Sequence, residues 1–90
     1  MKYSIRRTTQ FKKDVKHLVG SGKDIEKLFF VVNELAEGRR LASHYKDHSL
    51  KGKHKKKHDC HIEPDWILLY TIEDDELVLY RTGSHAHLFR

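Results

Sequence analysis

A chain of 90 residues, 38% hydrophobic and 34% charged, has material for one domain (1–90) with a single core, which excludes a multidomain organisation. No apolar run approaches the ~18 residues of a membrane span, and residues 1–7 are basic without the apolar segment of a signal peptide, so a cytoplasmic protein with no membrane partner is expected. Cys60 is the only cysteine, which excludes an internal disulfide framework and a multi-cysteine zinc site, while a net charge of +5 with eight uncounted histidines points to a polyanionic partner.

Tyr3 and Ile5 alternate with Lys2, Ser4 and Arg6, the pattern of a short strand with one buried face. Thr8 or Thr9 then offers an N-cap oxygen to a helix whose apolar stripe is Phe11, Val15, Leu18 and Val19, ended by Gly20 and Gly22. Ser21 and Asp24 have the spacing of a capping box before a second helix carrying Ile25, Leu28, Phe29, Val32, Leu35 and Ala36, stopped by Gly38. Together they predict a helical hairpin.

Residues 41–50 are polar and read as irregular, and residues 51–58 form a lysine and histidine run suited to an exposed connection. Three strands are predicted next, at 57–62, 66–72 and 77–82, with Glu73, Asp74 and Asp75 as an acidic turn between the last two. Such short connections imply antiparallel neighbours. Gly83 breaks the last strand, leaving 84–89 as a short tail. The expected fold class is α+β: an N-terminal strand and helical hairpin on one face of a mainly antiparallel sheet of four to five strands, the other face left free for a site.

The second half is rich in histidine, so a metal site has to be weighed. Cys60 and His61 are adjacent and point to opposite faces of a strand; His44 with His48, and His54 with His58, have the i, i+4 spacing of a zinc helix, but the glycine and lysines around the second pair argue against one. No metal and no cofactor is expected. Acid–base chemistry fits better, because imidazole exchanges protons near neutrality. His61 shares a strand face with Asp59, and Asp65 lies just beyond the only proline, Pro64. Lys46, Lys51, Lys53, Lys55, Lys56 and Lys57 read either as a solvated loop or as contacts to RNA phosphates. Trp66 reads either as core or as a surface on which an RNA base stacks.

Three blocks bring a resemblance with them: Tyr45 Lys46 Asp47 His48 Ser49 Leu50, the stretch 59–70 containing His61 Ile62 Glu63 Pro64 Asp65 Trp66, and Arg81 Thr82 Gly83 Ser84 His85 Ala86 His87 Leu88 Phe89. They resemble the signature blocks of YafQ-type toxins of the RelE/ParE superfamily, over nearly the whole chain. The resemblance implies a RelE-like fold and a toxin of a type II toxin–antitoxin system. Its activity would be that of an mRNA endoribonuclease acting on translating ribosomes, held inactive by a cognate antitoxin whose complex binds operator DNA. It matches His48, His61 and His85 to the family's catalytic histidines and Asp65 to its acidic residue. Arg81 and Phe89 match positions for phosphate binding and for placing the scissile nucleotide. His58 stands where the family usually has an arginine.

In such an enzyme the RNA 2′-hydroxyl is the nucleophile, so a base, an acid and a stabiliser of phosphorane charge suffice without a metal. The sequence leaves the base open among His48, His61 and Asp65, makes His85 the first choice for the acid, and allows His61 that role if it pairs with Asp65. A non-catalytic RNA- or protein-binding module and a ParE-like gyrase inhibitor are the alternatives on the same fold.

Overall fold

The computed structural model describes residues 1–50 and 57–89; the expectations for Lys51, Lys53, Lys55 and Lys56 lie outside the described residues. The chain opens with β1 (Ser4–Arg7), and Thr8 turns it into α1 (Thr9–Gly20). Thr8 Oγ1 accepts the Phe11 N–H at 3.0 Å and donates to the Tyr80 carbonyl at 2.8 Å, so one hydroxyl caps the helix and ties it to the sheet. α1 turns Phe11, Asp14 and Leu18 inward, and Val19, expected in the stripe, is 54% exposed. Positions i, i+3 and i+7 define the buried face, and Val19 lies a further 100° round the helix.

The expected capping box is corrected. Ser21 closes α1 instead: its backbone N–H bonds the His17 and Leu18 carbonyls, and its Oγ donates to the Leu18 carbonyl at 3.0 Å. Gly22, at φ +87°, supplies the left-handed residue that reverses the chain. Asp24 is the N-cap of α2 (Ile25–Ala36), accepting the Glu26 N–H at 3.2 Å. Leu28, Val31, Val32, Leu35 and Ala36 of α2 are buried, whereas Phe29 and Phe30 face outward.

A 3-10 turn at Ser43–Tyr45 and β2 (His48–Ser49) then structure part of the segment read as irregular. β3 (His58–Glu63), β4 (Trp66–Glu73) and β5 (Glu76–Gly83) follow as a meander. Asp74 and Asp75 take φ of 50° and 63°, the paired left-handed residues of a tight type I′ hairpin, which aspartate tolerates better than most side chains. The expected tail is instead α3 (His85–Phe89), opened by the Leu88 N–H bonding the Ser84 carbonyl and by Ser84 Oγ accepting the His87 N–H at 3.1 Å.

Among the described residues the five strands form one sheet in the order β1-β5-β4-β3-β2, with β1 parallel to β5 and every other pairing antiparallel. β1 is an edge strand exposed at all four residues, so the buried face expected for it is absent. Cys60, Ile62, Trp66, Leu68, Tyr70, Leu77 and Leu79 meet the buried residues of α1 and α2 in one core. Ile67, Leu69 and Thr71 alternate with them on β4 and are buried as well. On the face away from α1 and α2, the one expected to be free for a site, β4 is thus apolar and buried. Its unbroken apolar run, Ile67 Leu68 Leu69 Tyr70, is that of a central strand covered on both sides.

Candidate active site

Register assembles the site. His48 lies opposite Asp59, Asp59 opposite Leu69, and Leu69 opposite Arg81, so these four form one row across β2, β3, β4 and β5. His61, Ile67 and Gly83 form the row two residues on, at the end of the sheet where β5 passes into α3. Residues directly opposite in an antiparallel pair share a face. The rows thus put His48, His61 and Arg81 on one side of one sheet end, and the Gly83–Ser84 connection swings His85 beside them.

The turn between β3 and β4 does the rest. Glu63 pairs with Trp66, leaving Pro64 and Asp65 as its two-residue tip. Lys23 and Lys27 both reach Glu63 at 2.9 Å, which ties the base of this turn to the start of α2. His61 Nδ1 donates to the Pro64 carbonyl at 3.3 Å, so this ring and the turn steady each other. The pairing of His61 with Asp65 that would make His61 the acid is not the one formed. Asp65 turns to α3, where its Oδ1 accepts both the His85 backbone N–H at 3.0 Å and His85 Nδ1 at 2.9 Å. The His61 and His85 rings nonetheless stand 5.5 Å apart, and the exposed Phe89 ring lies 6.3 Å from His85. His61, Asp65, His85 and Phe89 are one cluster.

His48 belongs to a second pair. Its Nδ1 donates to the Lys46 carbonyl at 2.7 Å, and its Nε2 lies 3.0 Å from Asp59 Oδ1, a buried atom with no hydrogen bond from the described residues. Both ring nitrogens face oxygen acceptors. Lys46 adopts a left-handed backbone (φ 50°) and lines, with His44, His61, Ile62, Glu63 and Pro64, a cavity of about 330 Å³ beside the cluster. Lys57 rests its ammonium 4.3 Å from the centre of the Tyr80 ring. His58 stacks at 5.2 Å on Tyr70, whose hydroxyl donates to Asp47 at 2.5 Å.

Trp66 is corrected as an RNA contact. Its ring is fully buried and its Nε1 donates to Thr82 Oγ1 at 2.9 Å, so no base can stack on it. Cys60 is buried too, and burial pushes its thiol up, leaving it protonated and unfit as a nucleophile.

Residues 3–90 match the family described as "Bacterial toxin of type II toxin-antitoxin system, YafQ". The chain belongs to the YafQ family. It is 44% identical over 81 residues to the mRNA interferase toxin YafQ of Escherichia coli K12, covering 89% of this chain and 88% of that protein. The crystal structure of the E. coli DinJ–YafQ complex superposes with a TM-score of 0.92 at 42% identity, covering 98% of this chain and 99% of that one. A copper-bound mutant toxin from Helicobacter pylori superposes at 0.93 with 40% identity, covering 97% and 99%. Among the described residues here, no group of three or more His, Cys, Asp or Glu side chains is arranged to hold a metal ion. No helix of the described residues is long and apolar enough to cross a membrane.

One residue that contacts a side chain of this YafQ-family candidate site was missed in the sequence. Asp14, the sole acid of α1, is 1% exposed and accepts Arg81 Nε–H at 2.8 Å, an Arg81 Nη2–H at 3.1 Å, the Thr82 N–H at 3.1 Å and Gln10 Nε2–H at 3.2 Å. The signal was an acid three residues after Phe11, on the buried side of a helix whose other charges are lysines. Burial pushes the Asp14 carboxyl up, and the bonds from Arg81, Thr82 and Gln10 outweigh it, so it lies below its ordinary 3.8. The His85 backbone N–H and then its ring hold the Asp65 carboxyl below 3.8 as well. A depressed carboxyl contributes stability above its unfolded pKa and loses it as pH falls through the folded value. Below pH 3.8, therefore, the fall in urea midpoint with pH is expected to be shallower in Asp14→Asn than in the unmodified protein; equal slopes would remove Asp14 from the acid response.

Proposed function

We propose that this YafQ-family toxin is an endoribonuclease that inactivates mRNA, with RNA cleaved by attack of its own 2′-hydroxyl. The observation that carries this reading is the Asp65–His85 pair standing 5.5 Å, ring to ring, from His61. Asp65 accepts from Nδ1 of His85 and so leaves Nε2 turned to substrate; in the protonated ring that Nε2–H is the acid for the 5′-oxygen leaving group. His61 donates from Nδ1 to Pro64, which leaves its own Nε2 lone pair to take the 2′-hydroxyl proton. Asp65 is occupied by His85 and His48 Nε2 is turned to Asp59, so neither competes for the base role. His48 and Arg81 supply positive charge to the phosphorane, and Phe89 offers a ring beside His85 for the scissile base. Lys46 and Lys57, with the lysines of 51–56, guide the phosphate backbone. The products are a 2′,3′-cyclic phosphate and a 5′-hydroxyl.

The DinJ–YafQ complex of E. coli supports a cognate antitoxin as the silencing partner. The ribosome as the place of cleavage, operator DNA as a target of the toxin–antitoxin complex, and metal independence belong to the same proposal. Primer extension on an mRNA under translation tests the ribosomal part, and cleavage of bare RNA by purified toxin with and without a chelator tests metal independence. Cleavage that tracks codons under translation, and cleavage of bare RNA that persists in chelator, are expected. Cleavage lost only on chelation would overturn the metal-free scheme. RNA binding without cleavage would mark a binding module, and inhibited DNA supercoiling a gyrase poison.

A further inference from the structure

We propose that Asp14 is a positioning residue for RNA cleavage, holding the Arg81 guanidinium in the one attitude that meets the scissile phosphate; this rests on the reading of Arg81 as a phosphate-stabilising group. β1 ends opposite Leu79, so the edge of β5 beyond it has no strand partner among the described residues. Asp14 fills that place from α1. Its Oδ2 takes the Thr82 main-chain N–H, which fixes the carboxylate to the strand that carries Arg81. The same carboxylate then receives Nε–H and one Nη2–H of Arg81 side by side.

This geometry divides the guanidinium. One edge is spent on Asp14, and Nη1 with the remaining Nη2–H stays available to a phosphate on a side chain that is 29% exposed. An arginine left to rotate would have to be ordered anew at each turnover, whereas a carboxylate 1% exposed keeps it ordered beforehand. A neutral acceptor would serve to cap the Thr82 N–H, and the charge on Asp14 is matched to the arginine. His87 Nε2, from α3, lies 3.4 Å from Asp14 Oδ1, so the residue also touches the helix that bears His85 and Phe89.

Single-turnover cleavage by Asp14→Asn, Arg81→Ala and the double variant tests the inference. Asp14→Asn is expected to lower the single-turnover rate constant at saturating enzyme by roughly 10- to 100-fold, with the half-saturating enzyme concentration little changed and both limbs of the pH–rate profile unmoved, because Asp14 carries no proton in the reaction. In the Arg81→Ala background the same change is expected to cost less than about 3-fold more. Losses that multiply in the double variant, or an Asp14→Asn enzyme at the unmodified rate, would overturn the proposal. Arg81→Ala cleaving at the unmodified rate would overturn the reading of Arg81 and this inference with it. If Asp14→Asn fails to fold by circular dichroism, Asp14→Glu keeps the charge pair and displaces the guanidinium by one methylene. A folded Asp14→Glu enzyme slowed by on the order of 10-fold supports positioning, and one at full rate overturns it.

Discussion

Replacing His85 with alanine is expected to lower RNA cleavage by on the order of 100-fold or more while leaving the protein folded. The ring is half exposed, and its removal leaves no buried hole. The main-chain N–H of residue 85 still reaches Asp65, so the start of α3 keeps its anchor. What disappears is the Nε2–H proposed to protonate the leaving group. Single-turnover rates at saturating enzyme, with binding measured separately, check this: near-normal affinity with lost cleavage is the expected pair of results. Asp65→Asn keeps the shape but removes the charge that orients the ring, and its rate is expected to fall between the two. A His85→Ala enzyme that still cuts within a few-fold of the unmodified rate would remove this histidine from the chemistry.

The largest effect on stability is expected at Trp66. Its ring is fully buried in the core under α1 and α2, so Trp66→Ala is expected to cost about 3–5 kcal/mol. In a protein of this size that is much of the whole stability. Trp66→Phe fills most of the space but removes the Nε1–H that Thr82 Oγ1 accepts. Thr82 keeps its own bond to the Ile67 carbonyl at 2.9 Å, so that part of the penalty is only about 1 kcal/mol. Urea unfolding gives both numbers. The folded Trp66→Phe protein is expected to bind RNA as the unmodified one does; a weakened affinity at matched stability would restore Trp66 as a stacking surface.

The sequence made the elements legible because periodicity reports what each face must bury. Phe11 and Leu18, then Leu28, Val32 and Leu35, mark helices facing a sheet, and the meander is announced by its short connections. Where the reading failed, a competing local bond had won. Ser21 resembles a cap in spacing, but the end of α1 claims it first, and the nearer Asp24 caps the next helix. The residues 84–89 are too few to show a period, so α3 was invisible, and with it the reason Asp65 turns to His85. His61, Asp65 and His85 could be gathered by residue type and resemblance, whereas their partners could not. Register across four strands decides that His48 and Arg81 share a row, and register lies in pairings between distant residues. Asp14 was hidden for the same reason, since its bonds all but one run to the far end of the chain.

The parallel pairing of β1 with β5 is also the contact that closes the longest loop in the sheet. Ser4 meets Glu76 only after a long loop closes, whereas β3, β4 and β5 close through tight turns and can zip early. The early meander already contains His61, Asp65 and Arg81. It does not contain Asp14, which lies on α1 near the other end of the chain. A half-folded chain would thus hold the histidine and carboxylate of the β3–β4 turn while its arginine swings free. The segment that steadies the arginine is thus joined to the sheet through its longest loop.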